Sequence, residues 1–233
     1  MSHFRVAVFA NNPHDFDELL APYGENSEEY FEFNALTDEE IQKLKNDYRS
    51  NNYPSFEEYV TDAGYVNDTV SGAVGFMANP NAKWDWYSLN GGDWQFDMLP
   101  GQTYDDDCEA RKNQFDYSNK DYRESELIEH YNEMKKLAES TATPKEDEQD
   151  LDIRRAKWFM EDYPKLEYYL RCNKLNYPYA FITPDGEWHS PGTVGWFAVS
   201  DDTPDSMQAY LDEWEAYVNS KENPYVNFVD CHI

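Results

Sequence analysis

Apolar and polar positions change period several times along the chain. "HFRVAVFA" opens with Phe4, Val6 and Val8 alternating with His3, Arg5 and Ala7, the period-two pattern of a strand. Two brief helices follow, each announced by a capping box, Thr37-Asp38-Glu39-Glu40 and Ser55-Phe56-Glu57-Glu58, in which hydroxyl and carboxylate satisfy orphan helix-start donors reciprocally. Residues 70 to 98 read as extended, with a hairpin turn at Asn90-Gly91-Gly92, where glycine accepts the positive φ of a tight turn. In such a strand Trp84, Trp86 and Ser88 share one side and Asp85, Tyr87 and Leu89 the other. Trp94 joins Trp84 and Trp86 across the turn, and this predicts a buried tryptophan ladder under helix faces that include Trp214.

Residues 101 to 120 turn polar and read as an exposed connection or a poorly packed helix. Helical spacing returns with Leu127, Ile128, Tyr131, Met134 and Leu137 over 121–139, and with Ile153, Trp158, Phe159 and Leu170 over 149–172, where Pro164 should end or kink the helix. The intervening "STATPKEDEQD" reads as a solvated linker, so 101–175 is expected to be a mostly helical insertion carrying a helical hairpin. A β-hairpin is predicted around Pro184-Asp185-Gly186. After Pro204, the residues Met207, Tyr210, Leu211, Trp214, Tyr217 and Val218 form a continuous amphipathic stripe, and "YVNFVDCHI" closes the chain as a last strand. These elements predict an α+β fold of one domain over 1–233, with both terminal strands in one mixed or antiparallel sheet and helices packed on it.

Composition narrows the function classes. Lys and Arg number 19 against 47 Asp and Glu, a net charge of -28. Such a surface repels phosphate backbones and anionic lipid, which argues against direct nucleic-acid binding and against a membrane partner. Aromatic residues make up 17% of the chain and include seven tryptophans, so it has the burial capacity that disordered acidic chains lack. No apolar run of about 18 residues is present and the N-terminus does not read as a secretion signal. Cys108, Cys172 and Cys231 are odd in number and widely spaced, fitting neither a disulfide framework nor a zinc site. A soluble protein of the reducing cytoplasm is the expectation.

Five blocks carry a resemblance: "MSHFRVAVF" at the start, "LLAPYGEN" at 19–26, "NPNAKWDWYSLNGGDW" at 79–94, "TPDGEWHSPGTVGW" at 183–196, and "VDCHI" at the end. Together they resemble an uncharacterised family of acidic accessory proteins encoded by bacteriophages and prophages. The resemblance implies a setting, an infected or lysogenic bacterial host, and no settled activity. The family form of the aromatic block ends in Gly-Gly-Arg-Trp, whereas here Asp93 stands at the arginine and Asn90 is extra. A carboxylate there would repel any anion that a relative's guanidinium holds.

The candidate binding residues are Trp84, Trp86, Gly91, Gly92, Asp93 and Trp94 of the aromatic block, Trp188, His189 and Trp196 of the fourth block, and Asp230 and His232 at the end. The rings can stack on a flat ligand or grip a partner's side chains. His3, His189, Asp230 and His232 alone assemble the chemistry of an acid–base or metal site, but no HxH, HExxH or HxxxH spacing supports a metal. Cys231 points away from Asp230 and His232 on a strand and reads as a buried thiol. Asp105-Asp106-Asp107 and Glu146-Asp147-Glu148 lack the glycine-centred loop of a calcium site and read as solvated faces. No catalytic residue, cofactor or metal is expected. The favoured reading is a non-enzymatic accessory protein that neutralises a basic host protein, such as a defence factor, through an acidic, DNA-imitating surface. The alternative is a nucleotide-like small molecule held by the Trp84–Trp94 block.

Overall fold

A computed structural model describes residues 3–51, 53–69, 71–91, 95–105, 109–140, 148–193 and 200–233, with backbone alone for 148–150. In chain order the elements are β1 (His3–Ala10), α1 (Phe16–Leu20), β2 (Glu32–Ala35), α2 (Asp38–Ser50), α3 (Phe56–Asp62), β3 (Val66–Asn67), β4 (Val74–Ala78) and β5 (Trp86–Ser88). They continue with α4 (Glu124–Ala138), α5 (Glu148–Asp162), α6 (Leu166–Lys174), β6 (Ala180–Ile182), β7 (Trp188–His189), α7 (Pro204–Val218) and β8 (Tyr225–His232). Within this α+β fold, backbone contacts gather into two units, Met1–Leu19 with Tyr87–Ile233, and Leu20–Trp86.

The larger unit is built on a mixed sheet of order β5-β8-β1-β6-β7, which holds both terminal strands as expected. β1 runs antiparallel to β8 in a register from His3↔His232 to Ala10↔Tyr225, and parallel to β6 through Val6↔Ala180 and Val8↔Ile182. A half-buried alternation was predicted for β1, yet Val6 to Ala10 are all fully buried. The strand is central, with both faces covered, so its apolar run is continuous where a surface sheet would alternate. On one face Ala7, Phe9, Phe181, Val226 and Phe228 meet Tyr210 and Trp214 of α7 and Phe96, Ala110 and Phe115 of the 95–117 segment. Trp214 is wholly buried, with ring centroids of Phe181, Tyr117 and Phe9 at 5.5, 5.4 and 6.1 Å, and its indole N–H donates to the Asn176 carbonyl at 3.2 Å. The predicted amphipathic stripe of α7 is this contact.

Two cations enter this interior. The Arg5 guanidinium lies 4.1 Å from the Phe96 ring centroid and donates to Asn176 Oδ1 at 2.9 Å and to the Tyr177 carbonyl at 2.8 Å. Burial pulls its pKa down to about 10, so it remains charged at neutral pH. Lys112 is 1% exposed, and its ammonium donates to the Tyr217 carbonyl at 2.6 Å and to Ser220 Oγ at 2.7 Å, which places a positive charge on the C-terminal carbonyls of α7. Ala110, Lys112 and Phe115 therefore anchor the 109–118 segment in the core. The polar connection expected there folds inward because Ala110, Lys112 and Phe115 are buried without keeping any single period.

α4 and α5 pack through Tyr131 and Phe159 at 6.0 Å, with Tyr169 of α6 5.1 Å from Phe159. The chain breaks between α5 and α6 at Pro164, as the missing amide requires. In the smaller unit a three-stranded antiparallel sheet of order β2-β4-β3 accompanies α2 and α3. Both predicted N-caps are present, with the Glu40 amide donating to Thr37 Oγ1 at 3.3 Å and the Glu58 amide to Ser55 Oγ at 3.1 Å, and the reciprocal bond of a full capping box is formed at Thr37. Among the described residues no helix is long and apolar enough to cross a membrane.

The tryptophan ladder is a correction. β5 pairs beside β8 in the sheet, and among the described residues no strand pairing joins 84–88 to 95–98. Trp84 lies before that strand and is 8% exposed, while Trp86 is 45% exposed, so strand alternation does not relate the two. Gly92, Asp93 and Trp94 lie outside the described residues, as do Cys108 and Trp196. Trp214→Ala is accordingly expected to cost about 3–5 kcal/mol and Trp86→Ala less than about 0.5 kcal/mol, read as urea midpoints at unchanged m.

Burial raises the phenol pKa of Tyr117, Tyr168, Tyr177, Tyr210 and Tyr217. The unfolded chain ionises its tyrosines near pH 10, so above that pH the folded state binds more protons and loses stability as pH rises. Arg5 and Lys112, whose pKa values burial lowers, act oppositely over their own windows, but they are two groups against five. Chemical denaturation at pH 8 and at pH 11 should give a lower midpoint at pH 11, and tyrosine absorbance should show a late-titrating class released only on unfolding.

Candidate functional site

The register of β1 with β8 places three of the four histidine-cluster residues together. His3 Nδ1 lies 3.0 and 3.2 Å from the two carboxylate oxygens of Asp230, and the His3 and His232 rings meet edge to face at 5.1 Å. His232 is buried and His3 is exposed. Among the described residues no group of three His, Cys, Asp or Glu side chains is arranged to hold a metal ion. Cys231 is fully buried and its thiol pKa is pushed up by that burial and then by Asp230, as a structural thiol requires. Gly91 closes this edge. Its amide donates to the Phe228 carbonyl at 2.9 Å, and a Cβ there would stand 2.9 Å from the Asp230 nitrogen. Asn90, at φ 53°, donates its amide to Asn227 Oδ1 at 2.8 Å and accepts from Asn227 Nδ2 at 3.1 Å.

His189 is not part of that cluster. It pairs with Phe181, which pairs with Ala7, and so sits two strands over from β1 and four residues along from His3. There it lines an open cleft of about 710 Å³ together with Phe181, Asp185, Glu187, Glu213, Tyr217 and Glu222. The β6–β7 hairpin brings Asp185 and Glu187: the predicted turn forms with the Gly186 amide donating to the Thr183 carbonyl at 2.8 Å and Gly186 at φ 88°. Glu213 and Tyr217 stand four apart on α7, one face of its turn. The floor is aromatic, with His189 stacked on Phe181 at 4.5 Å and 6°, and Tyr217 stacked on Phe181 at 5.4 Å and 26°.

The polar groups of the cleft are of one kind. Four lining residues are carboxylates, Asp185, Glu187, Glu213 and Glu222, and no lysine or arginine is among the described residues that line it. Hydrogen bonding from Thr183 holds the Asp185 carboxyl below its ordinary range, so it stays charged into mild acid. His189 Nδ1 is 3.0 Å from Glu213 and its Nε2 is 3.8 Å from Glu187, so the ring stands between two carboxylates. Nε2 and the Tyr217 hydroxyl are buried atoms without a hydrogen-bond partner among the described residues. Acidic rim and stacked π faces together suit a cationic group.

Within the aromatic block, Trp84 is architectural. Trp84 is bridged to Gly24, where a Cβ would stand 2.7 Å from its ring, and the Glu25 amide donates to the Trp84 carbonyl at 2.8 Å. Buried Asn79 donates to the Pro22 and Gly24 carbonyls at 2.8 and 2.9 Å. The blocks "LLAPYGEN" and "NPNAKW" thus clasp each other, a partnership that no local pattern announces. Trp188, on β7, is half-buried.

Comparison with protein-family models, curated proteins and solved structures finds no match. The cleft therefore rests on its own chemistry, with His189 the expected residue that lines it. Phe181, Glu213, Tyr217 and Glu222 were missed. The usable signal was Glu213 beside Tyr217, a carboxylate one turn from an aromatic on the apolar stripe of α7.

Gly91→Ala should force β8 and the 90–91 turn apart, lowering stability by about 1–3 kcal/mol in urea, the cost of overpacking a filled contact. The same variant should loosen Asp230, seen as loss of the His3–Asp230 coupling in imidazole NMR spectra.

Proposed function

We propose that the protein is a non-enzymatic binding protein that captures a basic protein partner, with the cleft between the β6–β7 hairpin and α7 receiving an arginine or lysine side chain. The observation that carries this reading is the cleft's composition, four carboxylates around a stacked Phe181–His189–Tyr217 floor. A guanidinium can lie flat on such a floor and face the rim carboxylates. The net charge of -28 steers the approach of a basic surface and raises its encounter rate.

The resemblance to phage-encoded acidic proteins supplies the setting for the finer reading. The partner is a host protein, such as a defence factor, whose basic surface ordinarily holds DNA, and the acidic chain occupies that surface in its place. The mostly architectural packing of Trp84 leaves the nucleotide-pocket alternative without a specific observation in its favour.

Titration of a labelled arginine-rich peptide tests the cleft. The variant Asp185→Asn/Glu187→Gln/Glu213→Gln should bind about tenfold or more weakly, as expected for losing about 0.5–1 kcal/mol at each of three charge contacts. The control Glu126→Gln/Glu129→Gln/Glu133→Gln, equal in charge but on exposed positions of α4, should lose far less. Binding should weaken as salt shortens the Debye length to below about 10 Å. Equal losses in the two variants would leave only diffuse attraction and sink the cleft as a site.

A further inference from the structure

α5 carries on its outer side a stripe that complements itself. Ile153 and Ala156 are buried, and Phe159 packs against Tyr131 and Tyr169. Trp158 is 58% exposed and Leu151 40% exposed, large apolar surfaces on a helix otherwise rich in charge. One turn before Trp158 stand Arg154 and Arg155, and one turn after it Glu161 and Asp162, all exposed. At about 100° and 1.5 Å per residue, all four lie within about 60° of Trp158 around the helix. Arg154 and Glu161 fall on one flank of the indole, Arg155 and Asp162 on the other.

We propose that α5 is a self-association surface on which a second copy of this chain docks antiparallel, the two Trp158 side chains meeting at a two-fold axis. Such an axis reverses direction along the helix and keeps each flank on its own side. Arg154 therefore meets Glu161 of the second copy and Arg155 meets Asp162, each offset by only about 1.5 Å along the axis. Symmetry repeats both pairs, giving four ion pairs around two indoles.

Charge order selects this occupant over others. A uniformly acidic partner would be repelled by Glu161 and Asp162, and a uniformly basic one by Arg154 and Arg155. What fits is an apolar centre with acid and base in reversed order, which α5 itself supplies. The existing Arg155–Asp152 contact, 3.7 Å long between well-exposed groups, is a loose one that docking can replace at little cost. One helix face buries less than a standard interface of about 1,200–2,000 Å², so the association is weak and concentration-dependent.

Sedimentation of the full chain between about 10 µM and about 1 mM, the range for a contact of that size, should show a rising dimer fraction. Trp158→Ser should abolish it. Arg154→Glu/Arg155→Glu and Glu161→Arg/Asp162→Arg should each be monomeric alone, whereas their equimolar mixture should form a heterodimer, since every pair across the axis is again unlike. That rescue cannot come from misfolded chains. A wild-type monomer at every concentration, a dimer indifferent to Trp158→Ser or to the swaps, or a mixture that stays monomeric would each overturn the proposal.

Discussion

The antiparallel pairing of β1 with β8 is the constraint on which the larger unit depends. Eight residue pairs join the chain's first strand to its last, so the closing segment must return before the sheet's centre is complete. β6 then adds parallel to β1 and carries Phe181 to the middle of the aromatic core, and β7 adds to β6 and carries His189. α7 lies over this arrangement through Tyr210 and Trp214, whose polar atoms are satisfied by the Pro178 and Asn176 carbonyls just before β6. The cleft is a by-product of this order. Its floor is the end of the core, where Phe181 serves both.

Charge is partitioned across that core in an unusual direction. Arg5 and Lys112 are drawn inward, one onto an aromatic face and the carbonyl side of the 176–177 turn, the other onto the end of α7. Both neutralise partial negative charge that the fold would otherwise bury. Removing cations from the surface leaves the outside still more negative and strengthens the field around it. The exception is the 154–157 segment, "RRAK", three cations in four residues on α5. A chain this acidic has little general use for an exposed basic cluster beside an exposed tryptophan, and a matched acidic pair one turn further along gives the cluster a counterpart.

Much of the frame was legible because it rests on local rules. The terminal strands, both capping residues, the Pro184-Asp185-Gly186 turn, the break at Pro164 and the stripe of α7 are each set by neighbours within a few residues. The failures share a cause in contacts distant in sequence. Trp86 read as core because alternation was carried through residues 84–88, whereas only Trp86–Ser88 is strand and Trp84 is fixed by Gly24, sixty residues earlier. Residues 109–118 read as exposed because Lys112 and its polar neighbours mask a segment held by β8 and α7. Among the candidate binding residues, His189 reached the cleft and Asp230 and His232 reached the sheet edge beside His3. The rest of the cleft comes from α7 and the hairpin, which only tertiary packing brings together.

On the proposed reading, the acidic character is focused into a built receptor for a cationic side chain. NMR titration with arginine amide, following side-chain resonances across the whole protein, addresses this directly. The account predicts saturable shifts concentrated on Phe181, His189 and Tyr217, with Trp158 and the tyrosines of the smaller unit unmoved. Small, non-saturating shifts spread over the acidic surface would contradict it.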